Sequence, residues 1–223
     1  MITQRDGWWM PTSDRVGFRY ISAQASDIST IVDYCQDRRV CIQAGGNIGI
    51  WPAKLAEIFE HVITAEPDEA NFQALMKNTE GITNITRYNS AFGDSVKSGS
   101  IKVNEAGNMG ALSVVEGSGF HVVPIDSLNV TNCDLLQLDV EGYELFALTG
   151  AINTINRCKP TICIELNGLS QNYGHADEDV VKFLINLGYT KTRNIHRDVI
   201  FMHHTKVFGT QERKKEPLPE ALL

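Results

Sequence analysis

A chain of 223 residues has room for one well-packed domain with short appendages. Its 43% hydrophobic and 21% charged residues fit a globular protein; no apolar run approaches the roughly 20 residues of a membrane span, so cytoplasmic residence without membrane contact is expected. A formal net charge of −7 argues against a sequence-independent grip on nucleic-acid phosphates.

The first stretch, "MITQRDGWWMPTSDR", lacks the apolar core of a signal peptide. Residues 1–30 show little periodicity before Asp27 and read as an extension, serving as a substrate lid or a subunit interface. Trp8 and Trp9 within it would stack on a sugar face or cap an apolar surface, the second being the safer assumption. The main domain is expected over 31–205. It opens with the apolar run Val40–Gln43, which ends at glycines, and Ile50–Phe59 then carries apolar residues at helical spacing. His61–Ala65 reads as a second strand. Asp68 caps a helix over Asp68–Asn78, and Asn84–Tyr88 is a third strand. Residues 95–119, rich in Gly, Ser and Asn, form an inserted hairpin or loop. Regularity returns with strands at Cys133–Asp139 and Thr161–Leu166 and helices at Tyr143–Ile155 and Asp177–Leu187. Two β-like runs follow, Tyr189–Thr192 and Val199–His203, and the charged, proline-bearing 206–223 is expected to be a flexible tail. The cysteines at 35, 41, 133, 158 and 163 are odd in number and lack C-x-x-C spacing, so packed, reduced thiols are expected.

Strands alternating with helices imply an α/β domain, a mostly parallel sheet covered on both faces, with ligands beyond the carboxyl ends of the strands. Three features lie at those ends. In "VCIQAGGNIGIW", Gly45, Gly46 and Gly49 let the backbone turn sharply and approach a ligand before a helix begins at Ile50. Glu66, 23 residues after Gln43 at the end of the next strand, suits the two ribose hydroxyls of a nucleoside cofactor. In "DVEGYE", Asp139 ends a strand and should project into the crevice, Glu141 follows on the same side, and Glu144 falls in a first helical turn, where the dipole favours it without any function. Asp139, Glu165 and Asn167 together would hold a hard divalent cation, or orient a substrate hydroxyl or one another.

The segments "VCIQAGGNIGIW", "VITAEPDEANFQALMKN", "NSAFGD", "LLQLDVEGYELFALTGA", "CKPTICIELNG" and "LINLGY" follow one another as in the FkbM family of S-adenosylmethionine-dependent methyltransferases. The chain resembles that family from about Val40 to His203, most specifically in D-V-E-G-x-E. The resemblance implies the class I, Rossmann-like fold: seven strands, mostly parallel with the last antiparallel, and helices on both faces. It also implies methyl transfer to a hydroxyl of a sugar or other small molecule. Carried over residue by residue, it lays the methionine part of the cofactor over Gln43, Ala44, Gly45, Gly46, Asn47 and Gly49. Glu66 takes the ribose, and Pro67, Asp68 and the Ser90–Asp94 segment (Ala91, Phe92 and Asp94 among it) surround the adenine. Asp139 falls near the sulfonium. Two departures stand out, Gln43 where the family usually has Asp and Gln137 where it usually has Lys. The Gln43 amide oxygen can still accept from the cofactor's amino group, so binding should weaken by about tenfold at most.

Within these limits Asp139, Glu141 and Glu165 are the expected catalytic residues, one of them taking or orienting the acceptor proton. His121, His175 and His196 read more simply as surface or packing residues than as a base. The expected partner is a small-molecule or glycan acceptor, with a homo-oligomer compatible. A dinucleotide-dependent oxidoreductase fits Glu66 equally but leaves D-V-E-G-x-E unexplained. A catalytically silent binding module would suit Gln43 and Gln137.

Overall fold

The computed structural model describes residues 1–207, the side chains of Tyr20, Ile21, Ser22, Gln24 and Val207 excepted. The chain opens with strands β1 (Ile2–Arg5) and β2 (Trp8–Pro11) and helices α1 (Gly17–Gln24) and α2 (Ile28–Val32). Strand and helix then alternate as β3 (Val40–Ala44), α3 (Ile50–Ala56), β4 (His61–Ala65), α4 (Glu69–Asn78) and β5 (Ile85–Tyr88). Four strands follow without a helix: β6 (Ser90–Phe92), β7 (Lys97–Val103), β8 (Leu112–Glu116) and β9 (Phe120–Val123). The second half runs β10 (Leu135–Leu138), α5 (Glu144–Thr149), α6 (Ile152–Cys158), β11 (Thr161–Glu165) and α7 (Asp177–Asn186). It closes with β12 (Tyr189–Ile195), β13 (Asp198–His203) and α8 (His204–Val207).

Seven strands form the main sheet in the order β12-β13-β11-β10-β3-β4-β5. The ladders from β11 through β10, β3 and β4 to β5 are parallel, and β13 alone runs antiparallel to its neighbours. That is the α/β arrangement expected. Apolar residues cover both faces. Ile42, Leu136, Leu138 and Ile162 pack under α5, α6 and α7, while Cys41, Val62, Leu135 and Cys163 pack under α2 and α3. Burial on both sides explains why the strands read as unbroken apolar runs. Each fully buried Ile or Leu contributes about 1.5–3 kcal/mol. All five cysteines are free. Among the described residues no helix is long and apolar enough to cross a membrane.

Three expectations are refined. The helix over 143–155 is two helices, and between them Gly150 packs so closely that a Cβ would lie 1.9 Å from the carbonyl oxygen of Gly93. Asp126 caps the second one, accepting from the N–H groups of Asn153 and Thr154 at 2.9 and 2.8 Å. The 95–119 insert is a hairpin whose β7 and β8 join β6 and β9 in a second, four-stranded sheet, β6-β9-β7-β8. The first 30 residues are built in as well. β1 and β2 form a hairpin turning at Asp6 and Gly7, both left-handed at φ 51° and 82°. The backbone of Trp9 exchanges two 2.7 Å hydrogen bonds with the side chain of Asn78 on α4. Trp8 and Trp9 thereby cap an apolar face. In the tail, Lys206 and Val207 end α8, and 208–223 lie outside the described residues.

Candidate functional site

Strand order reverses between β3 and β10, and the crevice at that switch point collects the polar residues. The two strand ends are stitched beyond the ladder, Asp139 N–H donating to Ala44 O at 2.7 Å and Gly45 N–H to Asp139 O at 2.9 Å. The glycines here serve different purposes. A Cβ on Gly46 would meet Leu75 at 2.6 Å and Thr64 at 2.7 Å, so that glycine is required by packing. Gly49, left-handed at φ 94°, packs against Leu75 of α4. A Cβ on Gly45 would instead sit in the crevice, 3.2 Å from Asp139 O and 3.6 Å from Glu66 Oε2. Only a glycine leaves that space open.

Glu66 is 5% exposed at the tip of β4. Its Oε2 accepts from Asn47 N–H at 2.7 Å and its Oε1 from Asp68 N–H at 2.9 Å. Burial pushes its carboxyl up to about 7, against the pull of those two N–H groups. Each oxygen keeps a lone pair for a ligand hydroxyl. Gln43 is more fully engaged than the sequence suggests. Its Nε2 donates to Gly45 O at 2.7 Å and its Oε1 accepts from the Thr64 hydroxyl at 2.5 Å. The amide that stands at the expected acidic position therefore braces the turn, leaving one lone pair for a ligand amine.

Beyond the strand ends lies a cavity of about 590 Å³, within the range of pockets for cofactor-sized ligands. Its roof comes from the two segments the sequence left least regular. Met109, at the tip of the β7–β8 hairpin, donates its N–H to Asp14 at 3.1 Å, and its carbonyl accepts from Asn71 at 2.8 Å and Asn47 at 3.2 Å. Asp14, 4% exposed, also accepts from the N–H groups of Gly17 and Phe18 at 3.1 Å. The insert and the N-terminal segment are thus latched together over the crevice.

On the β10 and β11 side three carboxyl groups meet: the donor oxygens of Asp139, Glu141 and Glu165 all lie within 4.8 Å of one another. The D-V-E-G turn creates this cluster. Glu141 and Gly142 are both left-handed, at φ 55° and 96°, and a Cβ on Gly142 would fall 2.5 Å from the carbonyl of Leu169. Glu144, 1% exposed, holds the turn by accepting from Val140 and Gly142 N–H at 3.1 and 3.3 Å. Its place in the motif is structural. Burial, then Glu165, Glu141 and Asp198, raise Asp139 well above the carboxylate range. Burial, then Glu165 and Glu144, push Glu141 up to about 8, with Arg197 and Asn167 pulling the other way. Burial raises Glu165 too, opposed by its hydrogen bond with Asp139. Asn167 differs from expectation. Its Nδ2 donates to Glu165 at 2.6 Å and its oxygen turns back to Leu169 N–H at 3.0 Å, so it offers the cluster a donor.

Of the residues expected at the site, Gln43, Ala44, Gly45, Gly46, Asn47, Glu66, Pro67, Ala91, Phe92, Asp139, Glu141 and Glu165 line the cavity. Gly49, Asp94 and Asn167 are not in its wall. Asp94 instead pairs with Lys97 at 2.7 Å. Of the histidines only His196 reaches the wall, 3.8 Å from Asp27. His121 is exposed on β9, and His175 Nδ1 is engaged with Ser170 O at 2.9 Å. The wall also contains Asp27, Asn71, Met109 and Arg197, which sequence reasoning missed. Asn71, in the first turn after the Asp68 cap, was foreseeable from its helical spacing; Met109 was not, because its place depends on the hairpin's tilt.

The model of the FkbM methyltransferase domain matches residues 43–191. A crystal structure of a methyltransferase FkbM from Methylobacillus flagellatus is 21% identical with a TM-score of 0.53; the match covers 75% of this chain and 44% of that one. The chain therefore spans less than half the length of that protein. A precorrin-8w decarboxylase from Methanobacterium thermoautotrophicum is 12% identical with a TM-score of 0.50, covering 80% and 89% of the two chains. At these identities the likeness is one of fold. No curated protein sequence matches the chain significantly.

Proposed function

The chain belongs to the FkbM methyltransferase family, and from that premise we propose that it transfers the methyl group of S-adenosylmethionine to a hydroxyl of a small molecule or glycan. One observation carries the reading: a single cavity holds a buried acid at the tip of β4 and a carboxyl cluster at the tips of β10 and β11, with Gly45 leaving open the space beside both. When bound, the cofactor supplies an electrophilic methyl group on a cationic sulfur.

The protein's own residues divide the remaining tasks. Glu66 accepts from the ribose hydroxyls with the lone pairs its backbone partners leave free. Gln43 and the Gly45–Asn47 turn take the methionine end, and Pro67, Ala91 and Phe92 flank the base. The Asp139–Glu165 pair accepts the proton of the acceptor hydroxyl. Burial raises the proton affinity of both, which makes them stronger bases than free carboxylates. The roof of Asp14 and Met109 restricts the mouth through which the acceptor enters.

The test is release of S-adenosylhomocysteine with a panel of sugar and small-molecule alcohols. Asp139→Asn and Glu165→Gln should each lower turnover by on the order of 10²-fold, with cofactor affinity changed less than about tenfold. Near wild-type rates in both variants would remove the assignment. Titration with NAD separates the oxidoreductase reading, and cofactor binding without turnover on any alcohol would favour a silent module.

A further inference from the structure

The turn between β12 and β13 divides two cavities. It holds only His196 and Arg197, since Ile195 and Asp198 on either side are already paired in the ladder. Both turn residues line the cavity at the strand ends and also a second one of about 600 Å³. The second is apolar where Leu166, Val181 and Val199 reach it from the core, and Lys182 and Lys191 are exposed in its wall. Of its two acids Asp177 spends one oxygen on Gly168 N–H at 2.9 Å, and Lys182 is held by Asp179 at 3.3 Å. Glu178 is then set against two cations, Lys191 and Arg197. The first cavity has the opposite character. Its wall carries the acids Asp27, Glu66, Glu105, Asp139, Glu141 and Glu165, and among the described residues Arg197 is its one lysine or arginine. Arg197 is exposed, and its side chain forms no ion pair among the described residues. Its backbone is fixed all the same, the carbonyl accepting from Leu166 N–H at 3.0 Å beside the end of β11. A guanidinium offers five donors in a planar fork that matches a carboxylate or a phosphate.

We infer that Arg197 determines which acceptors the site takes: it binds an oxyanion, a carboxylate or phosphate carried by the acceptor alcohol, with Lys191 adding charge from the second cavity. The inference rests on the proposed methyl transfer, since it names the class of molecule that reaction would modify. Opposite charge in the two cavities orients that molecule. The acids of the first cavity repel its anionic end and the cations of the second hold it, so the hydroxyl end is the one that passes the turn toward Asp139 and Glu165. His196 is turned to a different task, its Nε2 lying 3.8 Å from Asp27 on the far side of the mouth. An arginine that served only to offset the carboxyl cluster would be expected against Glu141 or Glu165. Arg197 lowers the proton affinity of both but stands outside ion-pair distance of either.

The experiment compares three probes with one sugar skeleton, glucose, glucuronate and glucose 6-phosphate, at low salt. Equilibrium dialysis gives their affinities, and the Arg197 Nε–H resonance, identified by its loss in Arg197→Gln, reports where the anion sits. One or both anions should bind saturably and shift that resonance, and glucose should do neither. Arg197→Gln should weaken anion binding by about tenfold or more. Arg197→Lys should weaken it less, because it keeps the charge and loses the fork. Lys191→Gln should weaken it by about two- to fivefold. Both positions are exposed, so the variants should fold, which their melting curves verify. The tighter of the two anions tells a carboxylate-bearing acceptor from a phosphate-bearing one. Absence of saturable binding by either anion, equal binding of glucose, or unchanged affinity in Arg197→Gln overturns the inference. Binding of S-adenosylhomocysteine, measured on the same samples, reports on the methyltransferase reading separately. Anion binding without it leaves an anion site and removes the reaction, whereas S-adenosylhomocysteine binding without anion binding leaves the reaction and removes the acceptor class.

Discussion

The carboxyl cluster makes a prediction about stability that needs no knowledge of the acceptor. Glu141 is pushed from 4.5 to about 8, first by burial and then by Glu165 and Glu144. At about 1.36 kcal/mol per unit the full shift corresponds to about 5 kcal/mol. Solvent reaches one edge of the group at the cavity wall, so about half, ~2 kcal/mol, is its expected share. The folded protein holds this proton more tightly than the unfolded chain does. The cost is absent well below pH 4.5, where both states are protonated; it grows between pH 4.5 and about 8, where only the unfolded chain is ionised, and is nearly complete by pH 9. Glu141→Gln removes the ionisation and keeps the shape. In the presence of chelator the variant should match the wild type at pH 4.5 and exceed its melting temperature by about 4–8 °C at pH 9, using ~2–4 °C per kcal/mol for a chain of this size. Scanning calorimetry across that range is the assay. A difference independent of pH, or a variant less stable than the wild type at pH 9, would refute the electrostatic reading of the cluster.

Two substitutions test the scaffold of the site. Gly142→Ala places a Cβ 2.5 Å from the backbone of Leu169 at a φ of 96°, and should cost at least about 2 kcal/mol in denaturant unfolding; a loss under about 0.5 kcal/mol would show that the turn is not held there. Asp14→Ala leaves the N–H groups of Gly17, Phe18 and Met109 without their acceptor and should cost about 1–3 kcal/mol. It should also speed hydrogen exchange at the Met109 amide by at least about tenfold, and unchanged exchange would mean that the roof is held by other contacts.

Much of the fold was legible because each strand of the parallel sheet is apolar on both faces and each helix carries its own periodicity. Val40–Ala44 and Glu69–Asn78 were found within one residue for that reason, the second helped by the Asp68 cap. The break at Gly150 was hidden, and so was the reason for a glycine there, a contact with Gly93 that lies 57 residues away in the chain. The β1–β2 hairpin did leave a signal, the Asp6-Gly7 dipeptide between two short runs, but four-residue strands give too little alternation to support it. At the site, the strand-end rule located Glu66, Asp139 and Glu165, which depend only on where strands stop. It also set Glu144 apart from Asp139 and Glu141, but could not show the left-handed turn at Glu141 and Gly142 that gathers the three carboxyl groups. Nor could it show that Gln43 spends its amide on Gly45 and Thr64, a partnership set by the register of β3 against β4.

The role of Glu66 is the most direct point of attack. Calorimetric titration of S-adenosylhomocysteine should give one site per chain in the wild type. In Glu66→Gln, verified as folded by its melting curve, the loss of charge-assisted hydrogen bonds worth ~1.5–3 kcal/mol should weaken that site by about 10- to 100-fold. Undiminished affinity in the variant, or saturable binding of NAD by a wild type that ignores S-adenosylhomocysteine, would contradict the account.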